Sequence, residues 1–216
     1  MIGIKLKKKD KKNKKDKTGK KGKKGIGGAK RKTAAELRVI RDTQMDFKHL
    51  PNHLIQLYLP DPKSYLSIVA RVTSETGFWK GIHFTFHIDF PCDKPNDYPM
   101  VPPKCRLMPG YKIFHPNIDL NGAVCLGLRK PGAWKPVMDL KYVCLGLLTI
   151  LLDPNPMDPL NHEASRMMRD EPNKFSKMVS KSLSGQNVVL DGETVSFPST
   201  QEMNKIAIPK EYKKIF

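Results

Sequence analysis

The pattern of apolar and polar positions over residues 33–184 predicts one helix, four strands and three further helical segments, in that order. The sequence Thr33-Ala34-Ala35-Glu36 has the form of a capping box and opens the first helix, which we expect to reach about residue 48. One face of that helix is predicted to carry Leu37, Ile40, Gln44 and Phe47. The strand-like runs, which alternate or are rich in apolar residues, are 54–59, 66–73, 82–90 and 104–108.

A second helix has the most regular pattern in the chain. It follows Asp139, a residue type that caps helix N-termini, and its buried face is predicted to comprise Leu140, Val143, Cys144, Leu147, Leu148 and Leu151. Two more helical segments are expected at about 161–169 and 173–183, whereas the weak alternation of 185–216 assigns no element. Because Pro, Gly and Asn separate the strand-like runs, the order favours an α+β fold with a four-stranded antiparallel meander between an N-terminal helix and C-terminal helices.

The chain has 39 Lys and Arg against 21 Asp and Glu, a net charge of +18, and most of this charge lies at one end. Residues 1–32 carry +14, so the remainder of the chain is nearly neutral. A segment with this much self-repulsion and so few apolar side chains cannot offset the entropy of ordering its backbone, which predicts a disordered arm. The arm has an apolar tip, of the kind that a groove on a partner captures, formed by Met1, Ile2, Ile4 and Leu6. We therefore divide the chain into a 1–32 arm, a 33–184 core and a 185–216 extension of unassigned role.

The composition disfavours several classes of protein. No C-x-x-C pair occurs among the four cysteines, which argues against a structural zinc site and a secreted disulfide scaffold. We expect free thiols, no metal and a reducing compartment, the cytoplasm or the nucleus. The longest apolar run, 143–152, is too short to span a bilayer, so no membrane partner is expected. The arm has no aromatic residue that could stack on bases, which disfavours nucleic-acid binding.

Cys125 lies in a stretch, 108–136, that has no regular period and is dense in Pro, Gly, Asn and Asp. Long irregular stretches inside compact domains are usually functional. A lone cysteine is most often a small buried side chain. A thiolate can also accept an acyl group and pass it on by thioester exchange, without hydrolytic machinery. Such a transfer needs a donor for the tetrahedral oxyanion, which an asparagine side chain can supply.

Four motifs occur in order along the core. They are Tyr98-Pro99-x-x-Pro102-Pro103-Lys104, His115-Pro116-Asn117 with Cys125 eight residues after the asparagine, Trp134-Lys135-Pro136, and the Asp-Pro-Asn-Pro-Met-Asp-Pro-Leu sequence of 153–160. With these motifs, residues 33–183 resemble the ubiquitin-conjugating enzyme family, which implies the α+β ubiquitin-conjugating (UBC) fold. The lysine-rich arm, its Met-Ile start and the strings H-P-N-I-D-L-x-G-x-V-C-L and W-K-P-V are most similar to the branch that conjugates the Nedd/Rub modifier.

The resemblance implies roles for the residues at the matching positions. Cys125 would receive the C-terminal glycine of the modifier as a thioester, and Asn117 would stabilise the oxyanion when a substrate lysine attacks. Asp158 would orient that lysine and help it to lose its proton, while Asn155 would support the loop that carries Asp158. The resemblance implies that three residues, His115, Pro116 and Leu126, would support the active-site segment. None of the three would act as a general base.

The resemblance also implies partners. A heterodimeric activating enzyme would consume ATP and charge the cysteine, so we expect no metal or organic cofactor on this chain. RING-type ligases and the activating enzyme would contact two loops, through Pro99, Met100, Lys135 and Pro136. The arm's tip would dock into a groove on the activating enzyme, and a co-ligase would grip its first residue. The substrates would be lysines of cullins.

Two alternatives stay open from the sequence. The chain could be a ubiquitin-conjugating enzyme that has a basic arm, or a catalytically silent binding scaffold of the same fold. Gly127 departs from the family pattern, since relatives usually have Asp or Asn two residues after the cysteine. The stretch from Cys125 to Trp134 is also one residue longer, so we expect a different shape for the loop beside the cysteine.

Overall fold

The computed structural model describes residues 31–44, 47, 50–93, 97–128 and 130–216. The tip residues Met1, Ile2, Ile4 and Leu6 lie outside the described residues, as does most of the arm. Through the core, the helices and strands follow the predicted order: α1 (Ala34–Gln44), β1 (Ile55–Leu59), β2 (Ser67–Thr73), β3 (His83–Asp89), β4 (Lys104–Leu107), α2 (Leu140–Leu152), α3 (His162–Asp170) and α4 (Pro172–Leu183). In the part of the chain that the structure describes, no helix is both long enough and apolar enough to cross a membrane.

The first four strands form the predicted antiparallel meander. Ile55 pairs with Val72, Val72 pairs with Phe84, and Ile88 pairs with Cys105, so apolar side chains of all four strands share one face of the sheet. These residues are buried, and α2 packs against β2 and α1. The α+β prediction is therefore confirmed. The sheet has one strand more than the sequence pattern indicates, because a C-terminal strand pairs with the free edge of β1.

The first helix differs from its prediction in length and in its buried face. It ends at Gln44, and Leu37, which was predicted to share one face with Ile40 and Phe47, is 56% exposed, whereas Asp42 is buried. The Asp42 carboxylate accepts hydrogen bonds from Arg38 Nε, at 2.7 Å, and from the Tyr98 hydroxyl. A buried carboxylate is tolerated when it has such partners. The helix therefore turns a polar side chain toward the core, which apolar spacing alone does not indicate.

The predicted capping box of α1 forms only in part. The backbone N–H of Glu36 donates to Thr33 Oγ1 at 3.1 Å, as the box requires. The Glu36 carboxylate accepts instead from Lys32 Nζ, at 2.7 Å, and from the backbone N–H of Tyr65, at 3.3 Å. The bond from Lys32 is the main cause that lowers the pKa of Glu36. The start of α1 is thereby tied to the loop before β2.

The second helix agrees with its prediction. Asp139 is its N-cap and accepts a hydrogen bond from the backbone N–H of Tyr142 at 3.0 Å. All six residues predicted for its inner face are buried. The opposite side of the helix carries partly exposed residues, among them Tyr142 and Leu145, and it faces the site described below.

The C-terminal segment, for which the sequence predicted no element, contains four short ones: β5 (Val188–Leu190), β6 (Glu193–Val195), α5 (Thr200–Lys205) and β7 (Lys213–Lys214). Asp191 and Gly192 join β5 to β6 with φ angles of 48° and 83°, the left-handed geometry of a two-residue hairpin turn. Farther along, Arg71 Nη2 donates to the carbonyl of Ile206 at 2.7 Å, and β7 pairs with β1. The ring of Phe216 then packs against Phe47, with centroids 5.3 Å apart.

Candidate active site

An asparagine side chain joins the segment before Cys125 to the loop after α2. Asn117 Nδ2 donates to the backbone carbonyls of Asn155, at 2.7 Å, and Asp158, at 3.1 Å. Its Oδ1 accepts from the backbone N–H of Asn155 at 2.8 Å. Asn117 is only 2% exposed, so losing these bonds would leave polar groups unsatisfied away from water. Both hydrogens of Nδ2 are used here, and the predicted oxyanion role, which would need one of them, stays a prediction.

His115 is fully buried beneath this segment and is held on three sides. Its Nδ1 accepts from the backbone N–H of Asn117 at 2.9 Å, and its Nε2 donates to the carbonyl of Ile150 at 2.8 Å. The ring also stacks on Trp79, with centroids 4.3 Å apart. Burial lowers the pKa of His115 to about 3, although the hydrogen bond to Ile150 raises it. The imidazole is therefore neutral at physiological pH, and its Nδ1 orients Asn117 by accepting the backbone N–H of that residue.

The thiol of Cys125 faces the carboxylate of Asp158. Its Sγ lies 3.7 Å from Asp158 Oδ2, and its backbone N–H donates to the carbonyl of Asn117 at 2.9 Å. Cys125 is half-buried and lines the cavity described below, while its backbone is fixed by that bond. The structure thus brings together the three residues predicted to be catalytic, Cys125, Asn117 and Asp158.

The loop of Asp158 is ordered by bonds of its own. Asn155 Oδ1 accepts from the backbone N–H of Met157 at 2.9 Å, and Ser165 Oγ donates to the carbonyl of Pro156 at 2.6 Å. The carbonyl of Pro116 accepts from the backbone N–H groups of the two residues that precede α3, Leu160 and Asn161. Asn155 and Pro116 therefore lie where the sequence predicted support for the site.

A cavity of about 360 Å³ lies beside the thiol, between the 125–128 segment and the outer side of α2. Leu126, which the sequence predicted as a supporting residue, forms part of its wall and packs against the core. Tyr142, Leu145 and Thr149 contribute from α2, and none of them was predicted to belong to the site. The cavity has the size of sites that bind small ligands or peptide segments.

Two further residues lie at the site: Gly127, which the sequence indicated only as a departure from the family pattern, and Lys130, which was not predicted. Gly127 has a φ of +68°, in the left-handed region that favours glycine, and a Cβ there would lie 3.6 Å from Asp158 Oδ2. Asp and Asn, the residues that relatives usually have there, also tolerate this region. Lys130 Nζ lies 3.2 Å from the same Asp158 oxygen. A lysine five residues after a cysteine carries no sequence signal that would have identified it.

The residues predicted for partner contact lie on two loops that touch. Trp134 Nε1 donates to the carbonyl of Pro99 at 2.8 Å, which places Lys135 and Pro136 next to the 98–100 loop. Met100 is 63% exposed, and Lys135 and Pro136 are exposed as well. These four side chains are therefore available to a partner on one surface.

The scan against protein families matches residues 38–183 to the family described as ubiquitin-conjugating enzyme. This chain belongs to the ubiquitin-conjugating enzyme family. It is 36% identical over 165 residues to a NEDD8-conjugating enzyme UBC12 of Yarrowia lipolytica, a match that covers 75% of this chain and 86% of that protein. It is 33% identical over 165 residues to the Nedd8-conjugating enzyme UbcE2M of Drosophila melanogaster, covering 76% and 84%.

Among solved structures, Ubc12 of S. cerevisiae is similar to this member of the ubiquitin-conjugating enzyme family, with a TM-score of 0.63 and 32% identity. The superposition covers 77% of this chain and 83% of the yeast protein. The predicted UBC fold is thus confirmed. Within the described residues, no group of three or more His, Cys, Asp or Glu side chains is arranged to hold a metal ion.

Proposed function

We propose that this ubiquitin-conjugating enzyme carries NEDD8 as a thioester on Cys125 and transfers it to lysines of substrate proteins. The observation that carries the proposal is the contact of 3.7 Å between the Cys125 thiol and the Asp158 carboxylate at the edge of an open cavity. The modifier is inferred from the relatives, whose names describe them as NEDD8-conjugating enzymes.

In the charging step, the Cys125 thiolate attacks the thioester that joins the modifier to its activating enzyme. A new S–C bond forms at Cys125 and the thiolate of the activating enzyme leaves, so the acyl group changes sulfur atoms without hydrolysis. Because the sulfur is half-buried beside an open cavity, the C-terminal tail of the modifier has room to lie next to it. ATP is consumed by the activating enzyme, and this chain needs no cofactor for either step.

In the transfer step, a substrate amine attacks the thioester carbonyl and the Cys125 thiolate leaves. The amine must first lose a proton, and Asp158 Oδ2 is the carboxylate oxygen nearest the sulfur that could accept it. Asn117 fixes the distance between Cys125 and Asp158, because it bonds to the backbone on both sides of the site. His115 supports Asn117 and does not act as a base, since both of its nitrogens are engaged.

The proposal includes partners. Members of this family receive their modifier from an activating enzyme and work with ligases. For this chain we infer a heterodimeric activating enzyme, a RING-type ligase, a co-ligase and cullin substrates. The patch formed by the half-buried Pro99 and the exposed Met100, Lys135 and Pro136 supports ligase contact, and the apolar tip of the arm would dock on the activating enzyme. We also propose a location in the cytoplasm or the nucleus, because four cysteines that form no disulfide are typical of a reducing compartment.

A charging assay tests the proposal. The purified chain is incubated with ATP and, in parallel, with NEDD8 or ubiquitin, each with its own activating enzyme, and the products are separated on a non-reducing gel. We expect a thiol-labile adduct with NEDD8 that disappears in Cys125→Ala. Cys92→Ala is the matched control, because Cys92 is the other partly exposed cysteine, and it should charge normally.

The assay also separates the alternatives. An adduct with ubiquitin alone would replace the proposal by a ubiquitin-conjugating enzyme that has a basic arm. No adduct with either modifier would favour a catalytically silent scaffold of the same fold.

A further inference from the structure

The carboxylate that faces the catalytic thiol already has a lysine partner within the chain. Asp158 Oδ2 is 3.7 Å from Cys125 Sγ and 3.2 Å from Lys130 Nζ. The thiol of Cys125 and the ammonium group of Lys130 therefore both contact the same carboxylate oxygen, Asp158 Oδ2. This is the arrangement that transfer requires of a substrate lysine, which must approach both the thioester and a proton acceptor.

The backbone holds Lys130 near the cysteine. The N–H of Lys130 donates to the carbonyl of Gly127 at 3.2 Å, and its own carbonyl accepts from the N–H of Ala133 at 3.0 Å. Two successive turns thus fold the chain back after Cys125, with the left-handed φ of Gly127 at the start of the first. The side chain of Lys130 then reaches back across the site to Asp158.

We propose that Lys130 is itself an acceptor of the modifier, so that the charged enzyme can modify its own active-site loop. This inference rests on the proposed function, because it needs a thioester on Cys125. The ammonium group first gives one proton to Asp158 or to water, and the free amine attacks the thioester carbonyl. The C–N bond forms, the C–S bond breaks, and the second proton of the nitrogen neutralises the departing Cys125 thiolate. The products are an amide on Lys130 and a free thiol.

The ion pair does not prevent this reaction. The Lys130 side chain is 58% exposed and that of Asp158 is 29% exposed. Ion pairs with so much exposure are weak, so the ammonium group leaves and returns readily. An amine attached to the same chain also reaches the thioester far more often than a free lysine in solution does, because no second molecule has to be brought into position. Self-modification should therefore be most prominent when no substrate is present.

A single-round discharge experiment on the full chain tests the proposal. The chain is charged with NEDD8, charging is stopped by removing ATP, and the products are followed over time with and without a thiol reductant. Peptide mass spectrometry then locates adducts that resist the reductant. We expect an adduct on Lys130 that Lys130→Arg abolishes, because a guanidinium group keeps the charge beside Asp158 but is not a nucleophile. The matched control Lys104→Arg, at an exposed lysine of β4, should leave the Lys130 adduct intact.

A mixing experiment separates transfer within one molecule from transfer between molecules. Charged Lys130→Arg enzyme is mixed with uncharged Cys125→Ala enzyme, which still has Lys130 but cannot be charged. We expect any adduct on the uncharged partner to form more slowly than the adduct that the charged wild-type enzyme forms on its own Lys130. An adduct formed on the partner as fast as that one would overturn the proposal, and so would normal discharge with reductant-resistant adducts only on other lysines. Failure of the thioester itself would show instead that the proposed function is wrong.

Discussion

The loops around Cys125 and the C-terminal segment 185–216 are held to the rest of the structure by different kinds of interaction. At the active site, the side chains of Asn117 and His115 bond to backbone groups of distant residues inside the protein. In the C-terminal segment, side-chain bonds of Arg71 and Asn204 hold α5 and the residue after it, whereas backbone pairing of β7 with β1 and the packing of Phe216 on Phe47 hold the last residues. The attachment of the active-site loops depends on the identity of particular side chains. The attachment of the last residues, at β7 and Phe216, depends on backbone hydrogen bonds that any residue can make and on apolar contact.

Because of this difference, we expect the active-site loops to control the rate of transfer and the C-terminal segment to control the stability of the fold. Removing a side chain from the polar cluster moves two loops whose spacing determines the reaction, so the effect should be mainly on rate. Removing an apolar side chain from the C-terminal segment takes away buried area outside the polar cluster and the cavity beside the thiol, so the effect should be mainly on stability. Each of the following substitutions tests one side of that contrast.

Asn117→Ala should have the largest effect, and the effect should be on transfer. Without the amide, the Asp158 loop loses the three side-chain hydrogen bonds that join it to the segment before Cys125, and a displacement of this loop slows the reaction by about a hundredfold. Charging should persist, since the thiol is unchanged. Discharge of the NEDD8 thioester to free lysine is the measurement. Hydrogen exchange of the Asn155 N–H, which bonds to Asn117 Oδ1, should become faster if the amide is a clamp.

The matched control is Asn121→Ala, at an exposed asparagine four residues farther along the same segment. It should discharge at the rate of the wild type. If Asn117→Ala also discharged at that rate, neither a clamp nor an oxyanion role could be maintained for Asn117. Slow discharge with unchanged exchange of the Asn155 N–H would favour the oxyanion role over the clamp.

Phe216→Ala should come next and should act on stability. The ring packs on Phe47 and on the core but is only half-buried, so we expect a loss of about 2 kcal/mol of unfolding free energy, less than the ~3–5 kcal/mol for a fully buried phenylalanine. Denaturant unfolding provides the measurement, and charging and discharge at a temperature where the variant is folded should match the wild type. Lys214→Ala is the control, because it lies two residues before Phe216, at the end of β7, with an exposed side chain and should change stability little. A slower discharge in Phe216→Ala would contradict the contrast between the two regions.

The same contrast explains which parts of the molecule could be predicted from the sequence. Asn117 and Asp158 were identified because their roles depend on residue type, and a motif records residue type. The inner face of α2 was identified because six apolar residues repeat at helical spacing. The C-terminal strand β7 was not, because Lys213 and Lys214 are joined to β1 through backbone groups, which have no sequence signature.

Two other differences have the same physical origin. The buried face of α1 was predicted incorrectly because Asp42 is buried against Arg38 and Tyr98, and the tyrosine is far away in sequence. Lys130 was missed at the site because only the folding back of the loop after Gly127 brings it to Asp158. In each case the decisive partner is brought close by the tertiary structure, so no local pattern could indicate it.

A third prediction concerns the polar cluster and its contribution to the pH dependence of the unfolding free energy. The pKa of His115 is lowered from 6.5 to about 3 in the folded protein, because burial disfavours the charged ring. Between these two values the unfolded chain binds one more proton than the folded one. The unfolding free energy should therefore fall as the pH falls through this window, and His115 should contribute a slope of up to about 1.4 kcal/mol per pH unit.

The variant His115→Gln does not titrate, so it should lose this slope even though its overall stability is lower. The measurement is denaturant unfolding between about pH 6.5 and pH 5, where most carboxylates stay ionised and contribute little. His53→Gln is the matched control, since that ring is exposed, and it should keep the slope of the wild type. If His115→Gln kept the slope as well, the buried ring would not be the group that takes up the proton on unfolding. The active-site cluster would then make no pH-dependent contribution to stability, and the division of roles between the two regions would be sharper than we infer.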